Sequence, residues 1–290
     1  MQTIEFVIVQ SLNGLSYAAL LFLLASGLTI IFGLMNVLNL AHGSFFMVGA
    51  YVGVSVAQMT GSFTLAVLFG GLAGCIVGVL AETLLLNRLY RRPHLDQVLL
   101  TLGLIYILGD LVRWHWGAGF MSLSAPAALN FSIPLFDTAY PVYRLFVAGV
   151  GFGLAILLWL AERHTIYGAI VRAGVLDPEM VTGVGIDVRR VFLGVFALGA
   201  SLAGAAGVLG APIIGVYQGI DAVVLITSLI VVVIGGLGTL AGSFWGSVIV
   251  GLAQTFGSAL IPKLAMFLIF AVMALVLLFR PQGLLGRKVR

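Results

Sequence analysis

Charged side chains are scarce in this sequence. Asp, Glu, Lys and Arg together make up 8% of its 290 residues, whereas hydrophobic residues make up 61%. A soluble domain carries about 25% charged residues, so this chain could not cover its own exterior with polar groups. Residues 6–81 contain no Asp, Glu, Lys or Arg at all. The composition therefore predicts a polytopic membrane protein and argues against a soluble globular domain.

Cysteine and the common catalytic motifs are also missing. The single Cys75 excludes a disulfide within the chain and any site that needs several cysteines. No GxxxxGK[ST] or GxGxxG motif stands between a strand and a helix, so the usual ATP-binding loops are absent. HExxH, GxSxG and clustered His, Asp and Glu are absent as well. We therefore expect no enzyme activity, no metal and no cofactor bound by this chain; any ATP that drives it would be bound by partner subunits.

What the sequence does contain is a series of apolar stretches close to the ~20 residues that cross a bilayer as a helix. They predict an all-α, polytopic helical bundle with about 8–10 transmembrane helices, broken at glycine-rich segments, in one domain over residues 1–290. Glycines at four-residue spacing, such as Gly70, Gly74 and Gly78, favour close helix packing. The nine candidate spans are 7–32, 44–59, 63–86, 98–113, 143–161, 192–213, 222–237, 244–260 and 264–280.

The basic residues indicate the orientation. They concentrate in segments that the span count places on one side, as expected for cytoplasmic loops. Because the positive-inside pattern accounts for the basic charge, we expect no binding to nucleic acid. We expect the N-terminus and loop 114–142 outside, and loop 162–191 and the C-terminus in the cytoplasm. The residues concerned are Arg88, Arg91, Arg92, Arg163, Arg172, Arg189, Arg190, Arg280, Arg287, Lys288 and Arg290.

A polar island interrupts the first uncharged stretch at "GLMNVLNLAHGSFFMVGAY", residues 33–51. Its amides and imidazole need hydrogen-bonding partners, because a bare amide in hydrocarbon costs several kcal/mol. Two interpretations are open: the polar groups join helices to one another, or they line a substrate path at a broken helix. A second glycine-rich break occurs at "GGLGTLAGSFW", residues 235–245. The polar residues of the island are Asn36, Asn39, His42 and Ser44, bracketed by Gly33 and Gly43.

Loop 162–191 contains the signals of a short helix. Asp177, Pro178 and Glu179 are typical of an N-cap, a first helical position and an acidic first turn. Gly183 and Gly185 then predict its end, which leaves a helix of about one to two turns.

The apolar residues Met180 and Val181 of this helix have no membrane to enter and are expected to face water unless a partner covers them. Such an element is either a docking site for a partner or an ordered connector.

Five motifs resemble the permeases of branched-chain amino acid ABC importers, and specifically the shorter H-type of the two Liv permeases. They are "GLMNVLNLAHGSFFMVGAY", "TLGLIYILGDLVRWHWG", "RAGVLDPEMVTGVGIDVRRV", "VVVIGGLGTLAGSFWGSVIVG" and "FRPQGLLGR", in the family's order over nearly the whole chain. The resemblance implies a permease subunit in the bacterial inner membrane that translocates branched-chain or related hydrophobic amino acids. It also implies a second permease subunit (M-type or a copy of itself), two cytoplasmic ATPases and a periplasmic amino-acid-binding protein.

The same resemblance implies two sets of functional residues. The substrate pathway would contain Asn36, Asn39, His42, Gly43, Ser44, Gly235, Gly236 and Gly238. Coupling to the ATPase would involve Arg172, Asp177, Pro178, Glu179, Met180, Gly183, Gly185 and Ile186.

Two residues depart from the family pattern. Thr227 and Gln254 stand where the family often carries a lysine and a glutamate. The loss of both together is expected if those two residues form an intramembrane ion pair. If the lysine instead touches the substrate, an importer for another small polar solute such as urea or an amide is left open. A stand-alone secondary transporter would usually need an intramembrane acid or base. Asp110 and Glu82 are the candidates, near span ends, while Asp221 is expected at the outer face.

Overall fold

The computed structural model describes residues 2–35, 37, 39–90 and 92–286, which form a helical bundle with one short β-hairpin. The predicted all-α, polytopic bundle is confirmed. The helices are α1 (Gln2–Met35), α2 (His42–Thr60), α3 (Phe63–Leu84), α4 (His94–Trp116), α5 (Val142–His164), α6 (Ile166–Leu176), α7 (Pro178–Gly183), α8 (Val188–Ile214), α9 (Ile220–Gly235), α10 (Leu240–Leu260) and α11 (Ala265–Phe279), and the strands are β1 (Ser132–Leu135) and β2 (Thr138–Pro141).

Each of the nine predicted spans coincides with a helix, but fewer helices have the length and apolar composition to cross a membrane alone. Within the described residues, α1, α3, α4, α5 and α8 meet that criterion. Helices α9 and α10 meet it only as a pair bent by 118°, which makes six spans if the pair is one. Helix α2 is largely buried inside the protein, so its polar residues contact other helices rather than lipid.

Glycines let three helices approach closely at the centre of the bundle. Gly49 of α2 and Gly70 of α3 both lie directly against Gly204 of α8, where any added Cβ would overlap backbone atoms. Gly74, one turn after Gly70, lies against Ala200 and Gly204 in the same way. Because lipid provides no hydrophobic drive between helices, such backbone contact is a main source of packing energy in a membrane. The predicted role of the α3 glycines is confirmed.

Helices α2 and α9 both begin in the interior of the bundle. His42, the first residue of α2, lies beside Leu24, which is 11 residues before the end of α1; at 1.5 Å per residue this is about 16 Å. Gly43 in turn lies against the backbone of Asp221, in the first turn of α9. The chain therefore returns alongside α1 before α2 begins, and two helix N-termini meet at this depth.

The start of α1 and the loop between α4 and α5 lie on the same side of the bundle. The Glu5 Oε1 atom accepts hydrogen bonds from the Asp137 backbone N–H at 3.2 Å and from the Thr138 hydroxyl at 3.0 Å. This arrangement agrees with the expectation that the N-terminus and loop 114–142 share one side.

Cysteine labelling tests which side that is. In a Cys75→Ser background, we expect Ser124→Cys and Ser132→Cys to react with an impermeant maleimide added to intact cells, since both residues are exposed in loop 114–142. His164→Cys, exposed at the opposite end of α5, should react only after the membrane is permeabilised. The reverse labelling pattern would invert the orientation derived from the basic residues.

Candidate functional site

Two polar residues of the island, Asn39 and His42, are buried at the break between α1 and α2. The Asn39 Oδ1 atom accepts a hydrogen bond from the Ala41 backbone N–H at 3.1 Å, and the His42 Nε2 atom lies 3.0 Å from the Leu24 carbonyl oxygen. The Asn39 Nδ2 and His42 Nδ1 atoms have no partner among the described residues. Asn36 lies outside the residues that the structure describes. The island thus holds buried polar atoms whose hydrogen-bonding capacity is not fully used.

Ser44 connects the island to α9. Its hydroxyl donates a hydrogen bond to the Asp221 carboxylate over 3.2 Å. Asp221 is only 6% exposed, so the expectation that it lies at the outer face is wrong. It is displaced inward because α9 begins in the interior, after the chain has descended from the end of α8.

The sequence contains a signal that could have singled out Asp221. It is the only Asp, Glu, Lys or Arg between Arg190 and Lys263. An isolated charge in such a stretch is expensive in a membrane and usually faces the protein interior or a watery cavity. Hydropathy could not predict the depth of Asp221 in the bundle, because it placed the start of this span at the surface.

The second break, between α9 and α10, has different neighbours. Gly236 and Gly238 adopt positive φ values of 103° and 78°, which favour glycine. The Leu285 backbone N–H donates to the Gly235 carbonyl oxygen at 3.0 Å, and Gly238 lies against Gly33 near the end of α1. The structure therefore divides the predicted pathway residues into two groups: His42, Gly43 and Ser44 beside Asp221, and Gly235, Gly236 and Gly238 beside the C-terminal segment and Gly33.

A cavity of about 570 Å3 lies between α1, α5, α6, α8 and the second break. Most of its lining is apolar, and Glu162, Arg172 and Arg190 contribute its charged groups. Gly33 and Gly238 also line it. Arg172, predicted for coupling, therefore shares one cavity wall with the second break rather than projecting away from the bundle.

The predicted short helix in loop 162–191 is present as α7, Pro178–Gly183. The Asp177 Oδ1 atom caps it by accepting a hydrogen bond from the Met180 backbone N–H at 2.9 Å. Gly185 follows with φ of 85°, and Asp187 caps α8 through the backbone N–H groups of Arg189 and Arg190. Caps at both ends of the segment fix α7 as an ordered projection.

The apolar surface of α7 differs in part from expectation. Met180 is 67% exposed and Val184, just after the helix, is 69% exposed. Val181, expected to face water, is only 4% exposed, because this face of α7 packs onto the protein. Glu179, Gly183 and Gly185 are exposed and Ile186 is half-buried. Met180 and Val184 thus form the apolar projection of this segment.

Comparison with known proteins identifies the family. The model of the "Branched-chain amino acid transport system / permease component" family matches residues 10–277. The chain belongs to this family. The permease is 29% identical to the high-affinity branched-chain amino acid transport system permease protein LivH of Escherichia coli over 294 residues, 96% of this chain and 95% of that protein. It is 27% identical to the corresponding protein BraD of Pseudomonas aeruginosa over 296 residues, 96% of this chain and 95% of that protein.

A solved structure, PsaBC from Streptococcus pneumoniae in complex with Fab, aligns with a TM-score of 0.47 and 13% identity, covering 92% of this chain and 89% of that chain. The family is described as a component of a transport system, which operates within a membrane-embedded complex with other subunits, and not as a family of enzymes.

The other two acidic residues considered for ion coupling, Glu82 and Asp110, lie in different environments. Glu82 is buried and accepts a hydrogen bond from the Tyr90 hydroxyl at 2.8 Å. Burial, then the hydrogen bond and charge of Glu82, raise the pKa of Tyr90, so this phenol stays protonated as a donor. Asp110 is exposed on α4. Neither acid lies in the group around Ser44.

The two positions that depart from the family pattern are neutral and bonded within their own helices. The Thr227 hydroxyl donates to the Val223 carbonyl oxygen at 2.8 Å, and the Gln254 amide donates to the Ser258 hydroxyl at 3.4 Å. Neither side chain therefore leaves an uncompensated charge in the bundle.

Proposed function

We propose that the permease is the transmembrane subunit of an ABC importer that moves branched-chain amino acids across the bacterial inner membrane. The family match over residues 10–277 carries this proposal, together with relatives that are named as high-affinity branched-chain amino acid permeases over 96% of the chain. ATP would be bound by two partner ATPases in the cytoplasm, and a periplasmic binding protein would deliver the amino acid. A second permease subunit, M-type or a copy of this chain, would complete the membrane part.

The substrate pathway in this proposal passes the two breaks. Transporters commonly bind substrates near the bilayer midplane where helices are discontinuous, and α2 begins at such a break with buried polar groups whose hydrogen bonds are incomplete. We assign Asn36, Asn39, His42, Gly43 and Ser44 to this pathway. The glycines of the second break, Gly235, Gly236 and Gly238, would form its inner part, beside the 570 Å3 cavity.

Coupling to ATP hydrolysis would occur through α6 and α7. The capped α7 presents Met180 and Val184 to the surface, and an apolar projection on a soluble face is stabilised when a partner's groove covers it. Glu179 and Asp177 place negative charge at the helix start, which a basic rim on the ATPase would complement. Arg172 would extend the coupling segment to the cavity wall, and Pro178, Gly183, Gly185 and Ile186 shape it.

Reconstitution tests the proposal. We expect the permease to co-purify with two ATPase subunits and, in proteoliposomes that contain the binding protein, to support ATP-dependent uptake of leucine, isoleucine or valine. ATP-dependent uptake of urea or an amide alone would favour the other importer class that the neutral Thr227 and Gln254 leave open. Uptake by the permease without ATPases would instead show a secondary transporter.

A further inference from the structure

We propose that Asp221 binds the ammonium group of the amino acid during translocation, at a site formed where the first turns of α2 and α9 meet. This inference rests on the proposed amino acid import and assigns a residue for substrate recognition within the permease itself.

The first argument is that Asp221 is a buried carboxylate without a cation. Among the described residues, no Lys, Arg or His nitrogen lies within ion-pair distance of it, and the Ser44 hydroxyl is its only recorded hydrogen-bond donor. An ionised carboxylate can accept about four hydrogen bonds. The N-terminus of α9 offsets part of the desolvation of this charge, but a buried charge is normally paired. A cationic partner of the right size would complete the site.

A second, independent argument comes from the buried hydroxyl of Tyr51. Tyr51 lies seven residues after Ser44 on α2, so both side chains occupy the same face of that helix. Its hydroxyl is buried and has no hydrogen-bond partner among the described residues. An ammonium group carries three donors, so one ammonium could donate both to the Asp221 carboxylate and to the Tyr51 oxygen.

The helix geometry also suits the carboxylate group of a zwitterionic amino acid. The N-terminus of α2, at His42 and Gly43, points its partial positive charge into the interior beside Asp221. Helix N-termini bind carboxylates. The site therefore combines a negative side chain with a positive helix end, the complement of an α-amino acid's two charged groups.

The segment between α8 and α9 is paired with loop 114–142 through the Met121 and Val216 backbones, at 2.8 and 3.0 Å, and the Phe120 and Tyr217 rings are stacked. At the site itself, the arriving ammonium would replace the Ser44 hydroxyl at the Asp221 carboxylate.

A pair of variants separates substrate recognition from a structural role. Asp221→Asn keeps the volume and an oxygen that can accept the Ser44 hydrogen bond but removes the charge, whereas Asp110→Asn makes the same change at an acid exposed on α4. In the complete transporter, we expect Asp221→Asn to lower leucine uptake by about tenfold or more, with unchanged amounts of assembled complex and ATP hydrolysis still stimulated by the binding protein. Asp110→Asn should stay within about twofold of wild type, because its exposed carboxylate lies outside the proposed site.

Each other outcome overturns the inference. If Asp221→Asn transports normally, the charge does not receive the ammonium. If Asp110→Asn is impaired as strongly as Asp221→Asn, the loss is not specific to the proposed site; if the Asp221→Asn complex fails to assemble, Asp221 has a structural role at the helix contact. These results presuppose amino acid uptake by the wild-type transporter; its absence would refute the proposed function itself, and this inference with it.

Discussion

Replacing Met180 by aspartate is expected to abolish ATP-driven uptake while the permease remains inserted in the membrane. Met180 is 67% exposed on α7, so the substitution removes little packing within the chain. Burial of a methionine side chain in a partner's groove contributes about 1.5–3 kcal/mol. Its loss alone would weaken the contact by roughly 10- to 100-fold, and a carboxylate placed in an apolar groove adds a further desolvation penalty.

The measurement pairs ATPase binding with uptake in the same reconstituted membranes. Met180→Leu is the matched control: it keeps an apolar side chain of similar volume, so we expect nearly normal coupling. Phe131→Asp, on an exposed aromatic residue of loop 114–142, adds the same charge at the opposite end of the bundle and should leave ATPase binding intact. Wild-type uptake by Met180→Asp would show that α7 is only a connector.

Features governed by local signals were predictable from the sequence. Helix α7 begins after Asp177 and ends at Gly183 because capping, proline at the first helical position and glycine are properties of a few adjacent residues. The break before α2 likewise follows from polar residues in an apolar stretch. In both cases the determining interactions lie within about one helical turn of the residue concerned.

Features set by tertiary packing were not predictable. The partner of Ser44 is 177 residues away in the chain, and no periodicity in either segment indicates that α2 and α9 start at the same depth. Val181 could not be distinguished from Met180 by composition, since both are apolar and adjacent; only the packing of α7 onto the protein buries one and exposes the other. Nine spans were predicted, whereas five helices, or six spans with the bent pair, meet the criterion of length and apolar composition within the described residues. Hydropathy does not separate a helix that crosses lipid from one, such as α2, that is enclosed by others.

The strongest structural effect is expected from Gly204→Leu, at the crossing of α2, α3 and α8. A Cβ at this position would overlap the Gly70 carbonyl oxygen and approach Gly74 at about 3.1 Å, and both neighbours are backbone. Flexible side chains can rotate away from an added methyl group, but helix backbones can only separate. Overpacking typically costs about 1–3 kcal/mol where side chains can adjust; here we expect a loss above that range, because separating the helices also removes their van der Waals contacts along α8.

The matched controls for this substitution are Gly103→Leu in α4 and Gly153→Leu in α5, where an added Cβ meets no atom within 4 Å. All three variants introduce the same side chain into a helix interior, so differences in hydrophobicity and helix propensity cancel. We expect Gly204→Leu to abolish the monodisperse, detergent-solubilised permease on size-exclusion chromatography, or to lower its thermal unfolding midpoint far more than either control does. Equal midpoints for the three variants would mean that the bundle can open at Gly204 at little cost. Loss of assembly with the second permease subunit in a control that remains monodisperse would instead place that glycine on the surface that contacts the second subunit, since both control glycines have open space beside them.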